Sequence, residues 1–249
     1  MSSNLQDSNR IFVSIIIPVY NEEKRISFCL NEVVSYLTDK KLNYEVIVSD
    51  DGSIDGTCGI VKDFARTNQN IQLLKKEIHS GKGAAVKNGM LWAKGEFALF
   101  MDCDLSVHIN ELNKFLEYAC RGTEIVIGSR RKKGVIIKFH QPVYRIFLGF
   151  IFTILSNSVL FIKITDCSCG FKLFNRKAYK NIFEKQILNG WSFDSEILYL
   201  ARRNRYKIKE LPITWQNDEH TKFKLSKDAI FSLLDIFKIR INEMSGKYR

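Results

Sequence analysis

Residues 12–20 read Phe-Val-Ser-Ile-Ile-Ile-Pro-Val-Tyr, an apolar run of strand length broken only by Ser14. A strand with no polar face suits a sheet covered on both sides. The next stretch changes period. Ile26, Cys29, Leu30, Val33, Val34 and Leu37 fall on one face of a helix. The pattern then repeats. Strands are expected at 44–49, 71–74, 97–101 and 124–128, with helical stretches at 60–67, 83–93 and 110–120 between them. Alternation of this kind specifies an α/β fold with a mainly parallel central sheet flanked by helices. In such sheets ligands bind beyond the carboxyl ends of the strands.

Acidic residues cluster where those ends are expected. The run Ala98-Leu-Phe-Met-Asp-Cys-Asp-Leu-Ser106 closes a strand with two carboxylates, Asp102 and Asp104. Side chains at i and i+2 share a face, roughly 6.6 Å apart along a strand. Two acids so placed repel each other unless water or a cation lies between them. Hard oxygen ligands of this kind suit Mg²⁺ or Mn²⁺, with phosphate oxygens completing the shell.

Asp50-Asp-Gly-Ser-Ile-Asp55 follows the second strand. It resembles part of a calcium loop, but Lys62 stands where a bidentate Glu is needed. Two readings remain: an Asx-rich turn, or a carboxylate that accepts from a nucleobase or ribose. Ser80-Gly-Lys-Gly83 matches neither common phosphate-loop pattern; it is a flexible helix entry, or it brings Lys82 to a diphosphate.

The second half differs in charge and texture. The first 124 residues carry a net −3 and the remainder +14. The bases therefore gather in the half that must meet something anionic, either nucleic acid or phosphate and membrane headgroups. Gly128-Ser-Arg-Arg-Lys-Lys-Gly134 is a solvated loop or a phosphate clamp. Ile146–Ile162 is 17 residues without a charge, near the lower limit for a membrane span. Its less apolar residues, Gly149, Thr153 and Ser156, line up with Arg145 as a stripe. That pattern favours a helix lying in the bilayer interface with the stripe turned to the protein, over a span or a core helix. Ile230, Leu233, Leu234, Phe237 and Ile241 form a second apolar face, flanked by Lys227, Lys238 and Arg240. It serves either surface binding or packing on the domain. Trp191-Ser-Phe-Asp-Ser-Glu196 reads as a helix start with acids in the first turn, or as an acceptor-side site. The six scattered cysteines never form C-x-x-C, and residues 1–10 are polar with no apolar core. Reduced thiols in the cytosol are expected, with no signal peptide.

Taken together, Ile17-Pro-Val-Tyr-Asn-Glu22, Asp50-Asp-Gly-Ser-x-Asp55, Gly81-Lys-Gly-Ala84, Asp102-x-Asp-Leu-Ser106 and Gly128-Ser-Arg130 stand in the order found in family 2 glycosyltransferases of GT-A fold. Asp166-Cys-Ser-Cys-Gly-Phe-Lys-Leu-Phe174 and Trp191-Ser-Phe-Asp194 resemble the branch that glycosylates dolichyl or polyprenyl phosphate, the glucosyl members more closely than the mannosyl ones. The resemblance implies a nucleotide-sugar donor, UDP-glucose or GDP-mannose. Pro18, Tyr20, Glu22, Asp50 and Asp51 would surround the base and ribose. Asp102 and Asp104 would serve metal and diphosphate, with Lys82, Cys103 and Lys222 (or Lys224) on the donor side. Arg130 and Arg145 would grip the lipid phosphate, with Asp194 a further catalytic candidate. It also implies a GT-A domain over 11–225, including an interface helix over 142–163, after a flexible terminus (1–10). A C-terminal amphipathic helix (226–249) follows. Attachment would be peripheral, on the cytosolic face of a membrane.

The acceptor can be argued physically. A phosphate monoester has its second pKa at about 6 and is already anionic at pH 7, so it needs no general base. A sugar hydroxyl does, and Asp194 or Glu196 would then supply it. Two competitors are therefore a hydroxyl-directed transferase of the same family and a sugar-phosphate nucleotidyltransferase. The latter expects its glycine-rich loop in the first strand–helix turn, where this chain has Val19-Tyr-Asn-Glu22. A nucleic-acid binder fits only the charge and leaves the acidic loops unexplained, so no nucleic-acid partner is expected.

Overall fold

The computed structural model describes residues 10–138, 143–216 and 225–249. A seven-stranded sheet runs through its centre in the order β3-β2-β1-β4-β7-β5-β8. The strands are β1 (Val13–Val19), β2 (Tyr44–Asp50), β3 (Ile71–Lys75), β4 (Phe97–Met101), β5 (Ile125–Ser129), β7 (Phe171–Asn175) and β8 (Ile208–Pro212). β7 alone is antiparallel to its neighbours, β4 and β5. Two short strands, β6 (Ile136–Ile137) and β9 (Thr214–Trp215), pair as a separate ribbon.

β1 shows why its run is apolar throughout. Val13, Ile15, Ile17 and Val19 enter one core layer and Ile16 the other, as the period of two requires. The polar exception, Ser14, is buried and satisfied: it donates to Glu45 Oε1 at 2.6 Å and accepts from Gly95 N at 2.8 Å. Helix α1 (Ile26–Asp39) buries Ile26, Cys29, Leu30, Val33 and Leu37 against the first layer, with α2 (Thr57–Thr67) beside it. Helix α4 (Leu112–Cys120) follows a 3₁₀ turn at Ile109–Glu111, where one helix over 110–120 was expected. The second layer takes α3 (Lys82–Trp92), α6 (Arg176–Lys185) and α7 (Phe193–Arg203).

Helices α5 (Val143–Leu160) and α8 (Leu225–Met244) pack on each other outside that layer. Thr153 and Ser156 of the expected stripe turn inward. Thr153 accepts from Arg131 Nη1 at 2.7 Å, and Ser156 lies 3.2 Å from Ser195 Oγ. On α8 the inner face is Ile236, Ile239 and Asn242, whereas Leu234, Phe237 and Ile241 point outward. The sequence left the use of that second apolar face open; its Leu234, Phe237 and Ile241 are exposed, while Leu233 packs against the second core layer. Tyr144, Phe147, Phe150 and Ile154 of α5 are exposed as well. Among the described residues, no helix is long and apolar enough to cross a membrane.

Candidate active site

The parallel strands β1, β2, β4 and β5 all deliver their carboxyl ends to one rim, and the strand order reverses between β1 and β4. Asp102, the first residue past β4, and Asp104, the third, stand there. Asp102 Oδ1 is 2.6 Å from Lys82 Nζ, which comes from the first turn of α3. The Lys82 ammonium also lies 5.4 Å from the centre of the Trp191 ring. Burial alone would lower the Lys82 pKa, but Asp102, Asp194 and Asp104 together raise it, so the lysine is firmly cationic. Asp104 accepts from Ser106 N at 2.8 Å. Burial and the neighbouring Asp102 charge push its pKa up. A carboxylate pair in which one member resists ionisation is a site that gains from a cation. Among the described residues, no group of three or more His, Cys, Asp or Glu side chains could hold a metal ion by itself. Asp102 and Asp104 are hard carboxylate donors of the kind that fits Mg²⁺ or Mn²⁺ shared with phosphate oxygens.

Cys103 corrects one expectation. Asp102–Asp104 lie in the turn that follows β4, and there the Cys103 side chain turns into the protein. The thiol is buried in the first core layer beside Cys29, and that contact together with burial pushes its pKa far up. It does not line the cleft.

The loop after β2 is built on two acids. Asp50 is fully buried and accepts from Gly52 N at 3.2 Å and Ser53 N at 3.1 Å, the bonds of an Asx turn. Asp51 is buried as well. It accepts from Ser80 N at 3.1 Å and Gly81 N at 2.6 Å, and its carboxylate lies 2.8 Å from His79 Nδ1. Both carboxylates thus hold loops at the rim of the sheet. Gly52 makes the approach possible: with φ +83°, an added Cβ would meet His79 N at 2.9 Å. Tyr20 stacks on the His79 ring at 4.0 Å and Glu22 pairs with Arg25 at 2.6 Å. Pro18, near the end of β1, is half-buried at the same rim.

On the far side, Arg130 follows β5. Its guanidinium takes Asp166 in a two-pronged pair, Nε and Nη2 each at 2.8 Å, and its backbone N–H donates to Asp166 at 3.0 Å. Burial favours a neutral Asp166, but Arg130 outweighs it and holds the carboxyl well below the usual range. The guanidinium also lies 5.8 Å from the Trp215 ring centre and keeps 24% of its side chain exposed. Arg130 is thus oriented, with its outer edge open. Arg145 lies in the first turns of α5, and Lys222 and Lys224 fall outside the described residues.

Asp194 sits at the start of α7, buried, and is ion-paired with Lys172 of β7. Burial raises its pKa while Lys172 and Lys82 pull it down. Lys172 is itself fully buried and donates to Cys169 O at 2.6 Å. The sequence reading assigned no role to Lys172, Asp166 or His79. Lys172 carried one usable signal, a lone cation inside the apolar Phe171-Lys-Leu-Phe174. A charge there demands a buried counter-ion.

The glycosyl transferase family 2 model matches residues 14–183. The chain is 36% identical to dolichyl-phosphate beta-glucosyltransferase ALG5D of Trichomonas vaginalis, over 94% of this chain and 78% of that protein. It is 34% identical to the dolichyl-phosphate beta-glucosyltransferase of Saccharomyces cerevisiae, over 98% and 78%. The Homo sapiens enzyme of that name is 29% identical, over 99% and 80%. Among solved structures, glucosyl-3-phosphoglycerate synthase from Mycobacterium tuberculosis, in complex with Mn²⁺, uridine diphosphate and phosphoglyceric acid, superposes with a TM-score of 0.68. It shares 15% identity, over 94% of this chain and 78% of that one. Mannosyl-3-phosphoglycerate synthase from Rubrobacter xylanophilus gives 0.67 at 17% identity, over 95% and 75%. These structural likenesses establish the fold, a GT-A transferase fold.

Proposed function

The chain belongs to glycosyl transferase family 2, and from that premise we propose that it moves a glucosyl unit from UDP-glucose to a polyprenyl phosphate, dolichyl phosphate in the form its relatives' names carry. The observation that carries the acceptor reading is the Lys172–Asp194 pair. A hydroxyl acceptor needs a base at the sugar. Asp194 is buried and already committed to a lysine, and Glu196 is fully buried behind it. A phosphate acceptor is already charged and asks only to be positioned and desolvated.

In this reading Lys82 and the acid pair receive the donor diphosphate, and Arg130, aimed by Asp166, presents its open edge to the attacking phosphate. A bound Mg²⁺ or Mn²⁺ would be held by Asp102 and Asp104 and would neutralise charge on the leaving diphosphate. Lys82 adds a fixed positive charge beside it. In-line attack inverts the anomeric carbon, so an α-linked donor yields a β-linked lipid phosphosugar. The exposed apolar face of α5 and α8 rests on the cytosolic leaflet that holds the lipid acceptor. Surrounding Lys and Arg suit an anionic membrane surface.

The test is direct. Incubation with labelled UDP-glucose, Mg²⁺ and dolichyl phosphate should carry label into the organic phase, with GDP-mannose as the competing donor. Label that enters only a hydroxyl-bearing glycan would overturn the acceptor assignment.

A further inference from the structure

Lys82 reaches Asp102 from a turn packed without a gap against residues 186–190. A Cβ added at Gly81 would lie 2.5 Å from Asn189 O, and one at Gly83 would lie 2.7 Å from Leu188 O. Ala84 N donates to Asn189 O at 3.2 Å. The Gln186 side-chain amide donates to Gly83 O at 2.9 Å and to Leu188 O at 2.8 Å. Any displacement of 186–190 therefore moves the backbone that carries Lys82.

Residues 186–190 are held in turn by Glu196, which is fully buried and accepts from Ile187 N at 3.1 Å and Leu188 N at 2.8 Å. Its third donor comes from the far end of the chain: Tyr248 Oη, at 2.6 Å. Tyr248 is also fully buried, and Arg203 Nη1 holds its carbonyl at 2.9 Å. Burial raises the Glu196 pKa against the pull of these donors. Losing the Tyr248 donor leaves the carboxylate to the two backbone N–H groups and the Lys87 charge, and so weakens its hold.

We propose that Tyr248 and Glu196 are positioning residues for Lys82: the hydroxyl at the chain's end aims the Glu196 carboxylate, which fixes residues 186–190, which fix the Lys82 turn on the donor diphosphate. Neither residue reaches the cleft. The idea rests on the reading of Lys82 as a diphosphate ligand, and its test separates the two.

Calorimetric titration of UDP with Mn²⁺ present compares the full chain, Tyr248→Phe, Lys82→Ala and the double variant. A hydrogen bond to a charged group is worth about tenfold in an equilibrium, so Tyr248→Phe should weaken UDP by about three- to tenfold. In the Lys82→Ala background the same change should add nothing, because the route ends at Lys82. Gln186→Met, which cuts the route at Gly83 with little change in volume, should reproduce both results if Tyr248→Phe folds poorly. Unchanged UDP affinity in Tyr248→Phe and Gln186→Met overturns the proposal. So does equal weakening with and without Lys82, the mark of a merely structural effect. Failure of the unaltered protein to bind UDP would sink the donor reading and the positioning role with it.

Discussion

Lys172→Met tests the innermost part of the site. The Lys172 ammonium is fully buried, pairs with Asp194, donates to Cys169 O at 2.6 Å and lies 5.3 Å from the Phe100 ring centre. Methionine fills nearly the same volume but leaves Asp194 buried. Lys82 is the next cation acting on it, and Lys82 is already engaged by Asp102. Removing one member of a buried pair costs about 3–5 kcal/mol. At about 2–4 °C per kcal/mol for a chain of this size, the melting temperature should fall by roughly 6–20 °C. The double variant Lys172→Met/Asp194→Leu removes both charges and should melt near the parent, since replacing a buried pair by apolar groups is often neutral. Scanning calorimetry with a turnover assay reads both. A drop below about 1 kcal/mol for Lys172→Met would refute the pairing. The double variant also decides the chemistry. Loss of a general base costs on the order of 10²–10⁴-fold in turnover. If the double variant stays folded and binds donor normally yet loses that much, Asp194 is a base and the phosphate-acceptor reading fails.

Four further outcomes are expected. Asp104→Asn should abolish turnover with the fold intact. In the parent, burial and Asp102 raise the Asp104 pKa, so a proton must leave before a cation binds. Mn²⁺–UDP affinity should therefore fall as pH drops below that raised value, and a flat profile in a pH-resolved titration would refute it. Without ligand the sign for folding is opposite to that of a salt-bridged acid: a raised folded pKa makes the Asp104 contribution decline as pH rises above about 3.9, the unfolded value. Gly170→Ala places a Cβ 2.0 Å from Asp102 Oδ2, so turnover should collapse while melting changes far less; normal turnover would show that Asp102 is not needed where it stands. Leu234→Glu and Phe237→Glu alter side chains more than half exposed on α8. Each forfeits about 1.5–3 kcal/mol of apolar burial in a bilayer, so vesicle flotation should weaken at least tenfold per site with melting unchanged.

The central sheet was legible because β1, β2 and β4 announce themselves locally, each a short run bounded by turn residues. The acid pair was legible from its place just after an apolar run, although Asp102–Asp104 lie in the turn past β4, where the strand period of two no longer applies. Cys103 was not legible, because motif proximity puts it in the site while the turn sends its side chain into the core. Arg130–Asp166, Lys172–Asp194 and Tyr20–His79 were not legible as pairs. Their members lie on different elements, and local pattern says nothing about which charges or rings meet across a folded core. Asp50 and Asp51 differ again. Turn and ligand both need a carboxylate after a strand, and local pattern could not show that the backbone N–H groups of residues 52, 53, 80 and 81 would meet these two. On α8 the helical period located an apolar face, but the helix has apolar residues all round, so periodicity could not say that Ile236 and Ile239 would be the buried ones.

The reversed direction of β7 has a consequence for how the two sides of the cleft are spaced. A parallel strand offers the rim only its exit, and the chain leaves into a helix. β7 offers its entrance instead: Phe171 pairs with Met101, so the residues just before β7, Asp166–Gly170, arrive beside Asp102 and Arg130. Everything after Phe171 is held in the sheet by Lys172 and the ladders to β4 and β5. Asp166 aims Arg130 and Gly170 lies against Asp102, so the segment ahead of β7 is tied to both sides of the cleft at once. One inverted strand lets a single short loop set the spacing between the two sides of the candidate site.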